Sequence, residues 1–130
     1  MSKLGCNCGG VIYDQTDNLP YKGMIIRDQH TDVVDNVVNN IASYLEARLS
    51  GNGQQWVNDH FGYADADLEL DDSSIIYDLM TLMFSPGIAL DIYQCEQCQR
   101  ILIENRNRQN TFISFLPEEN DAADILKVKD

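Results

Sequence analysis

The chain has 130 residues, 44% of them hydrophobic, which suits one modest domain and leaves little room for two. Its formal charge is −12, and a field of that sign repels phosphate backbones, so nucleic-acid binding is disfavoured. No apolar run approaches the roughly 18 residues that span a bilayer, and the opening residues lack the apolar core of a signal peptide, so we expect a cytoplasmic protein with no membrane partner.

The chain opens on Cys6-Asn7-Cys8-Gly9, and Cys95-Glu96-Gln97-Cys98 answers it near the end; these two pairs hold all four cysteines. Two close pairs far apart in sequence are the spacing of a four-thiolate metal site assembled from two tight turns, or knuckles. Gly9 and Gly10 supply the backbone freedom that the first knuckle needs. In a reducing compartment disulfides do not persist, and a bridge between Cys6 and Cys8 would be strained, so metal ligation is the better use of the thiols. Zinc is the expected ion, with iron in a four-thiolate site as its competitor.

Residues 11–14 and 24–28 read as short strands around a connection, 15–23, that is rich in turn formers. That connection is either a displayed recognition loop presenting Tyr21 and Lys22 or a hairpin loop tied by Thr16, Asp17 and Asn18. Thr31 is placed to cap the longest helix, which runs to about Ser50 with Gly51 just beyond it. Val34, Val37, Val38, Ile41, Leu45 and Leu49 recur at three and four, which predicts one core-facing stripe broadened by Val33 and Tyr44. After Gly51-Asn52-Gly53, residues 54–61 predict a short helix anchored by Trp56.

Residues 64–72 form an acidic loop carrying Asp65, Asp67, Glu69, Asp71 and Asp72. Its alternation fails the template of a calcium loop: Leu70 stands where glycine is required and Ile76 where a bidentate Glu belongs. Ser73 or Ser74 is expected to cap a helix reaching about Phe84, apolar over most of its circumference and so expected to be buried between the first helix and the sheet. Ser85-Pro86-Gly87 ends it. Strands are expected at 88–94, 99–104 and 111–116, and the charged tail 118–130 either docks or frays.

The flanks of the knuckles, Val11-Ile12-Tyr13 and Ile101-Leu102-Ile103, are strand-like. With Cys6, Cys8, Cys95 and Cys98 they resemble a zinc ribbon whose halves are split by a long insertion. The resemblance covers about a third of the chain and implies that these four cysteines are the metal ligands. Family ribbons more often carry C-x2-C at both knuckles, so the first pair departs from the pattern. The opening, with Asp14 to Lys22, is also similar to small bacterial proteins of unassigned function, which transfers no activity.

The expected fold class is therefore α+β: a small antiparallel zinc-ribbon-like sheet with a helical insertion between the knuckles. We expect one domain, with 1–30 and 88–117 as its zinc-bound β part, 31–87 as the helical insertion and 118–130 as a tail. A four-cysteine zinc site has no open position, so the Zn²⁺ is structural and the protein is not expected to be an enzyme. No nucleophile stands beside a base, and His30 and His60 read as surface or capping residues.

The leading functional expectation is an interaction module, such as a bacterial immunity or antitoxin-like protein, that holds a basic partner protein. Asp65, Asp67, Glu69, Asp71 and Asp72, together with Tyr21 and Lys22, are the candidate contacts. The alternative is a nucleic-acid-associated ribbon using Arg100, Arg106 and Arg108 around the last hairpin. Monomer and homodimer both remain open.

Overall fold

The computed structural model describes residues 3–62, 71–108 and 110–129. Asp65, Asp67 and Glu69 lie outside the described residues. The fold is α+β, and the chain divides into two compact units, Met1–Ile25 with Ala89–Asp130, and Ile26–Ile88.

In the first unit, β1 (Lys3–Gly5) pairs antiparallel with β2 (Val11–Tyr13), so that the first cysteine pair sits in the turn between them. The strand before Cys6 was not expected. It is only three residues long, too short for an alternating pattern to declare itself. A second, four-stranded sheet runs β3-β4-β5-β6, with β3 at Lys22–Ile26, β4 at Ala89–Gln94, β5 at Ile101–Glu104 and β6 at Phe112–Phe115. Since β2 and β3 belong to different sheets, the 15–23 connection is not a hairpin loop. Antiparallel register places Tyr93 opposite Leu102 and Ile101 opposite Phe115. Alternation along the strands then sends Tyr93 and Leu102 to one face, where they form a core with Leu4, Cys6, Ile12 and Cys95.

The tail docks on this unit. Gln94, 3% exposed at the end of β4, donates through Nε2 to Ala122 O at 2.6 Å and accepts from the Ile125 N–H at 3.2 Å. A buried amide costs free energy unless its groups are paired, and here it is paired with the backbone of the tail.

The second unit holds α1 (Asp32–Leu49), α2 (Gly53–Phe61) and α3 (Asp72–Met80), with 3₁₀ turns at Asp28–His30 and Thr81–Phe84. Thr31 does not cap α1 through its side chain: it is already helical, continuing the 3₁₀ turn, and its Oγ1 donates to Asp28 O. At the other end Gly51, at φ 83°, reverses the chain while the Asn52 N–H returns to Ala47 O at 2.8 Å.

The stripe along α1 is narrower than its sequence suggests. Val37 and Tyr44 are buried and Ile41 packs against the core, whereas Val34, Val38, Leu45 and Leu49 are exposed. At about 100° per residue, positions 37, 41 and 44 fall on one narrow seam and the exposed four flank it on one side. The core formed there is Tyr44, Val57, Ile75 and Leu79. In α3 only Ile75 and Leu79 are fully buried, and Tyr77 and Met80 face solvent, so the expected all-round burial of this helix is not found. Its cap is Asp71 rather than a serine, because Asp71 Oδ1 accepts from the Ser74 N–H at 2.9 Å.

Candidate metal centre

Each knuckle is shaped by its own backbone bonds before any ion is considered. In the first, the Cys6 N–H donates to Gly10 O at 2.8 Å and the Gly9 N–H to Cys6 O at 2.9 Å, with Gly9 at φ 93°. The Gly10 N–H points at Cys8 Sγ, 3.4 Å away. The second knuckle repeats the logic: the Cys95 N–H donates to Arg100 O and the Gln99 N–H to Cys95 O, both at 2.8 Å, and Gln99 takes the left-handed conformation at φ 67°. In both cases the chain reverses so that two sulfurs face inward together.

The four sulfurs meet. Cys6, Cys8, Cys95 and Cys98 place their Sγ atoms within 4.8 Å of one another, with Cys6 to Cys98 at 3.5 Å and Cys8 to Cys95 at 3.6 Å. Both of these close contacts cross between knuckles, so the two pairs form one cluster of four donors, the number a tetrahedral site takes. Cys6 and Cys95 are buried, Cys98 is half-buried and Cys8 is exposed, so the cluster has a hydrophobic back and a solvent-facing front. The donor set suits a metal ion that takes four thiolates.

Electrostatics differ around the ring. Burial pushes the Cys6 thiol up, while at Cys98 burial is outweighed by the backbone N–H and guanidinium of Arg100, which hold the thiol below its ordinary range. Arg100 therefore already serves the cluster. Of the three arginines expected around the last hairpin, it is turned to sulfur, and Arg106 and Arg108 are exposed.

A family model described as Domain of unknown function (DUF8617) matches residues 2–119. The chain belongs to this family. All four cysteines of the DUF8617 chain fall inside the matched residues, and the tail beyond Glu119 does not. Among curated proteins and among solved structures, none matches.

Of the candidate partner contacts that are described, Tyr21 and Lys22 belong to the first unit and Asp71 and Asp72 to the second. Asp71 spends a carboxylate oxygen on the cap of α3, and Asp72 pairs with Arg48 Nε at 2.6 Å and accepts from the Tyr44 hydroxyl. Tyr21 packs its ring against the β core and donates its hydroxyl to Tyr13 O. Lys22 Nζ pairs with Asp14 Oδ2 at 2.6 Å and lies 5.5 Å from the centre of the Tyr93 ring. All four have internal partners. His60 stacks on Trp56 with ring centres 4.6 Å apart. Among the described residues, no helix is long and apolar enough to cross a membrane.

Sequence reasoning located the cysteines and missed what positions them. Tyr93, Asp14 and Gln94 form the polar framework of the β unit. The one available signal was a polar Gln beside Cys95 at the end of an otherwise apolar strand.

Proposed function

We propose that this DUF8617 chain is a non-enzymatic, zinc-stabilised interaction module, in which Zn²⁺ held by Cys6, Cys8, Cys95 and Cys98 ties the two knuckles together and a basic protein is recruited by the negative charge. The observation that carries the metal half is the convergence of four sulfurs within 4.8 Å from two distant turns. Four thiolates complete a tetrahedron, so the ion has a structural role and no position for substrate. Binding free energies of about 10–16 kcal/mol in zinc-finger peptides exceed the whole stability of many domains, so the ion is integral to the β unit.

The partner half rests on the charge of −12 and on electrostatic steering, which speeds association between opposed fields. An immunity or antitoxin-like role, neutralising a basic toxic protein, is the concrete form of this reading. Asp71 and Asp72 are engaged within their own unit, and Asp65, Asp67 and Glu69 are the contacts the reading puts to the test. The nucleic-acid alternative is weakened because Arg100 is committed to Cys98.

Elemental analysis and cobalt substitution test the metal. One zinc per chain, and cobalt spectra of tetrahedral thiolate ligation, are expected; iron as purified, or a cobalt site with bound water, would overturn it. For the partner, association of a basic protein should slow and lose salt dependence in D65N/D67N/E69Q, and unchanged kinetics would remove that half.

A further inference from the structure

Across β4, β5 and β6, Gln94, Ile101 and Phe115 stand in one row, because Gln94 is opposite Ile101 and Ile101 is opposite Phe115. Gln94 grips the returning tail at Ala122 and Ile125, so the tail becomes a wall facing the far end of the row. Between them lies a groove of about 380 Å³, lined by Ile101, Phe115, Leu116, Ala122 and Ile125, with Glu119 and Asp121 on its lining. That volume lies in the lower part of the range of ligand pockets, about 300–1,000 Å³. Phe115, Leu116 and Ile125 are 52%, 63% and 57% exposed, which is costly for large apolar side chains grouped in one place. β6 is also the edge strand of its sheet.

Charge decides the occupant. From Ile113 to Leu126 the chain carries Glu118, Glu119, Asp121 and Asp124 and no Lys or Arg. These carboxylates repel an anionic bilayer, and a second copy would bring the same four against them. A basic segment with an apolar side chain satisfies both features, since its anchor fills the groove while flanking cations meet the carboxylates.

We infer that this groove docks a short basic peptide segment of a protein partner, one aromatic or aliphatic side chain of which seats between Phe115, Leu116 and Ile125. The inference rests on the basic-partner reading and names a surface for it. The groove is preformed, because its tail wall is pinned by a buried amide and does not have to be ordered on binding.

A random peptide library panned against the metal-loaded full chain tests this. Enriched peptides are expected to carry one large apolar residue flanked by Lys or Arg. Their affinity should fall about ten-fold or more in L116S/I125S. It should fall several-fold, with a flatter salt dependence, in E119Q/D121N. Retained metal and an unchanged far-UV spectrum show that the variants are folded. Basic peptides that bind L116S/I125S as well as the parent overturn the groove and leave the basic-partner reading standing. Enrichment of uncharged or acidic peptides, or no enrichment, overturns both the groove and its charge logic. A free protein that sediments as a dimer, dispersed by L116S/I125S, assigns the face to self-association instead.

Discussion

The Tyr93 hydroxyl donates to Asp14 Oδ2, the same carboxylate oxygen that meets Lys22 Nζ. Two residues 79 apart thereby join the residue just after β2 to the penultimate residue of β4, and Lys22 brings in the start of β3. This polar clasp sits beside the hydrophobic core that backs the cysteines, so the β unit is fastened twice, once by sulfur and once by Asp14.

The clasp predicts an acid limb. Burial alone would raise the Asp14 carboxyl, but Lys22 and the Tyr93 hydroxyl outweigh it and hold the group below its ordinary value. A depressed carboxyl stabilises the fold above its unfolded value near 4 and loses that contribution as pH falls through the folded value. Asp14→Asn should cost about 1–3 kcal/mol at neutral pH and flatten the loss of stability below about pH 4. Denaturant titrations across the acid range measure both effects, and an Asn variant with the parent's acid slope would deny Asp14 this role.

The phenols predict the opposite limb. Burial, aided by the Asp14 carboxylate, raises Tyr93, and burial with Asp72 pushes Tyr44 up to about 12. A raised phenol stabilises the fold below its unfolded value near 10, and that contribution is lost as pH rises towards the folded value. Alkaline titration of phenolate absorbance should show two late tyrosines, one lost in Tyr93→Phe and the other in Tyr44→Phe. Ionisation of both near pH 10 with the fold intact would contradict the assignment.

The first knuckle predicts a steric effect on the metal. A Cβ on Gly10 would stand 2.9 Å from Gln97 Oε1 and 3.3 Å from Cys8 Sγ. Gln97 can swing away, but the sulfur is fixed by its ligand role, so Gly10→Ala should displace Cys8 and weaken metal affinity about ten-fold. Competition with a chromophoric chelator measures it. At Gly9, where φ is 93° and nothing lies within 4 Å, alanine should cost backbone strain with a smaller change in affinity.

The metal ligands and the helices were legible in the sequence because each rests on a local signal: paired cysteines, a 3.6-residue period, a glycine after the last turn. What was not legible depends on partners distant in the chain. Nothing near Val34 or Val38 says that α2 and α3 pack only along the seam of Val37, Ile41 and Tyr44. Tyr21 and Lys22 read as a displayed pair because Asp14 is eight residues before Lys22 and Tyr93 is far downstream. The cap of α3 fell on Asp71 rather than Ser73 or Ser74 because the helix starts two or three residues earlier than expected, and a carboxylate also suits the positive end of the helix.

That cap separates two roles of one acid. Asp71→Asn keeps an acceptor for the Ser74 N–H and removes the charge, whereas Asp71→Ala removes both. Thermal unfolding should therefore show a lower midpoint for the alanine variant and one near the parent for asparagine. Equal losses in the two variants would mean that charge, rather than the capping bond, holds the start of α3.

Gln94 carries the most demanding prediction, because one side chain serves both the knuckle and the tail. Its Nε2 reaches Gln99 O at 3.3 Å as well as Ala122 O, and its Oε1 receives the Ile125 N–H. Gln94→Leu fills nearly the same volume but leaves those backbone groups without their partner, at a cost of about 2–3 kcal/mol. Hydrogen exchange at the Ile125 amide should quicken at least about ten-fold, since a released tail exchanges by local opening rather than with the whole unit. Metal content should remain at one ion per chain, because the cysteine N–H bonds of both knuckles do not pass through this side chain. If the Ile125 amide stays protected, the tail is held instead by Leu126, which packs beside Gly23, and the wall of the groove does not depend on the amide.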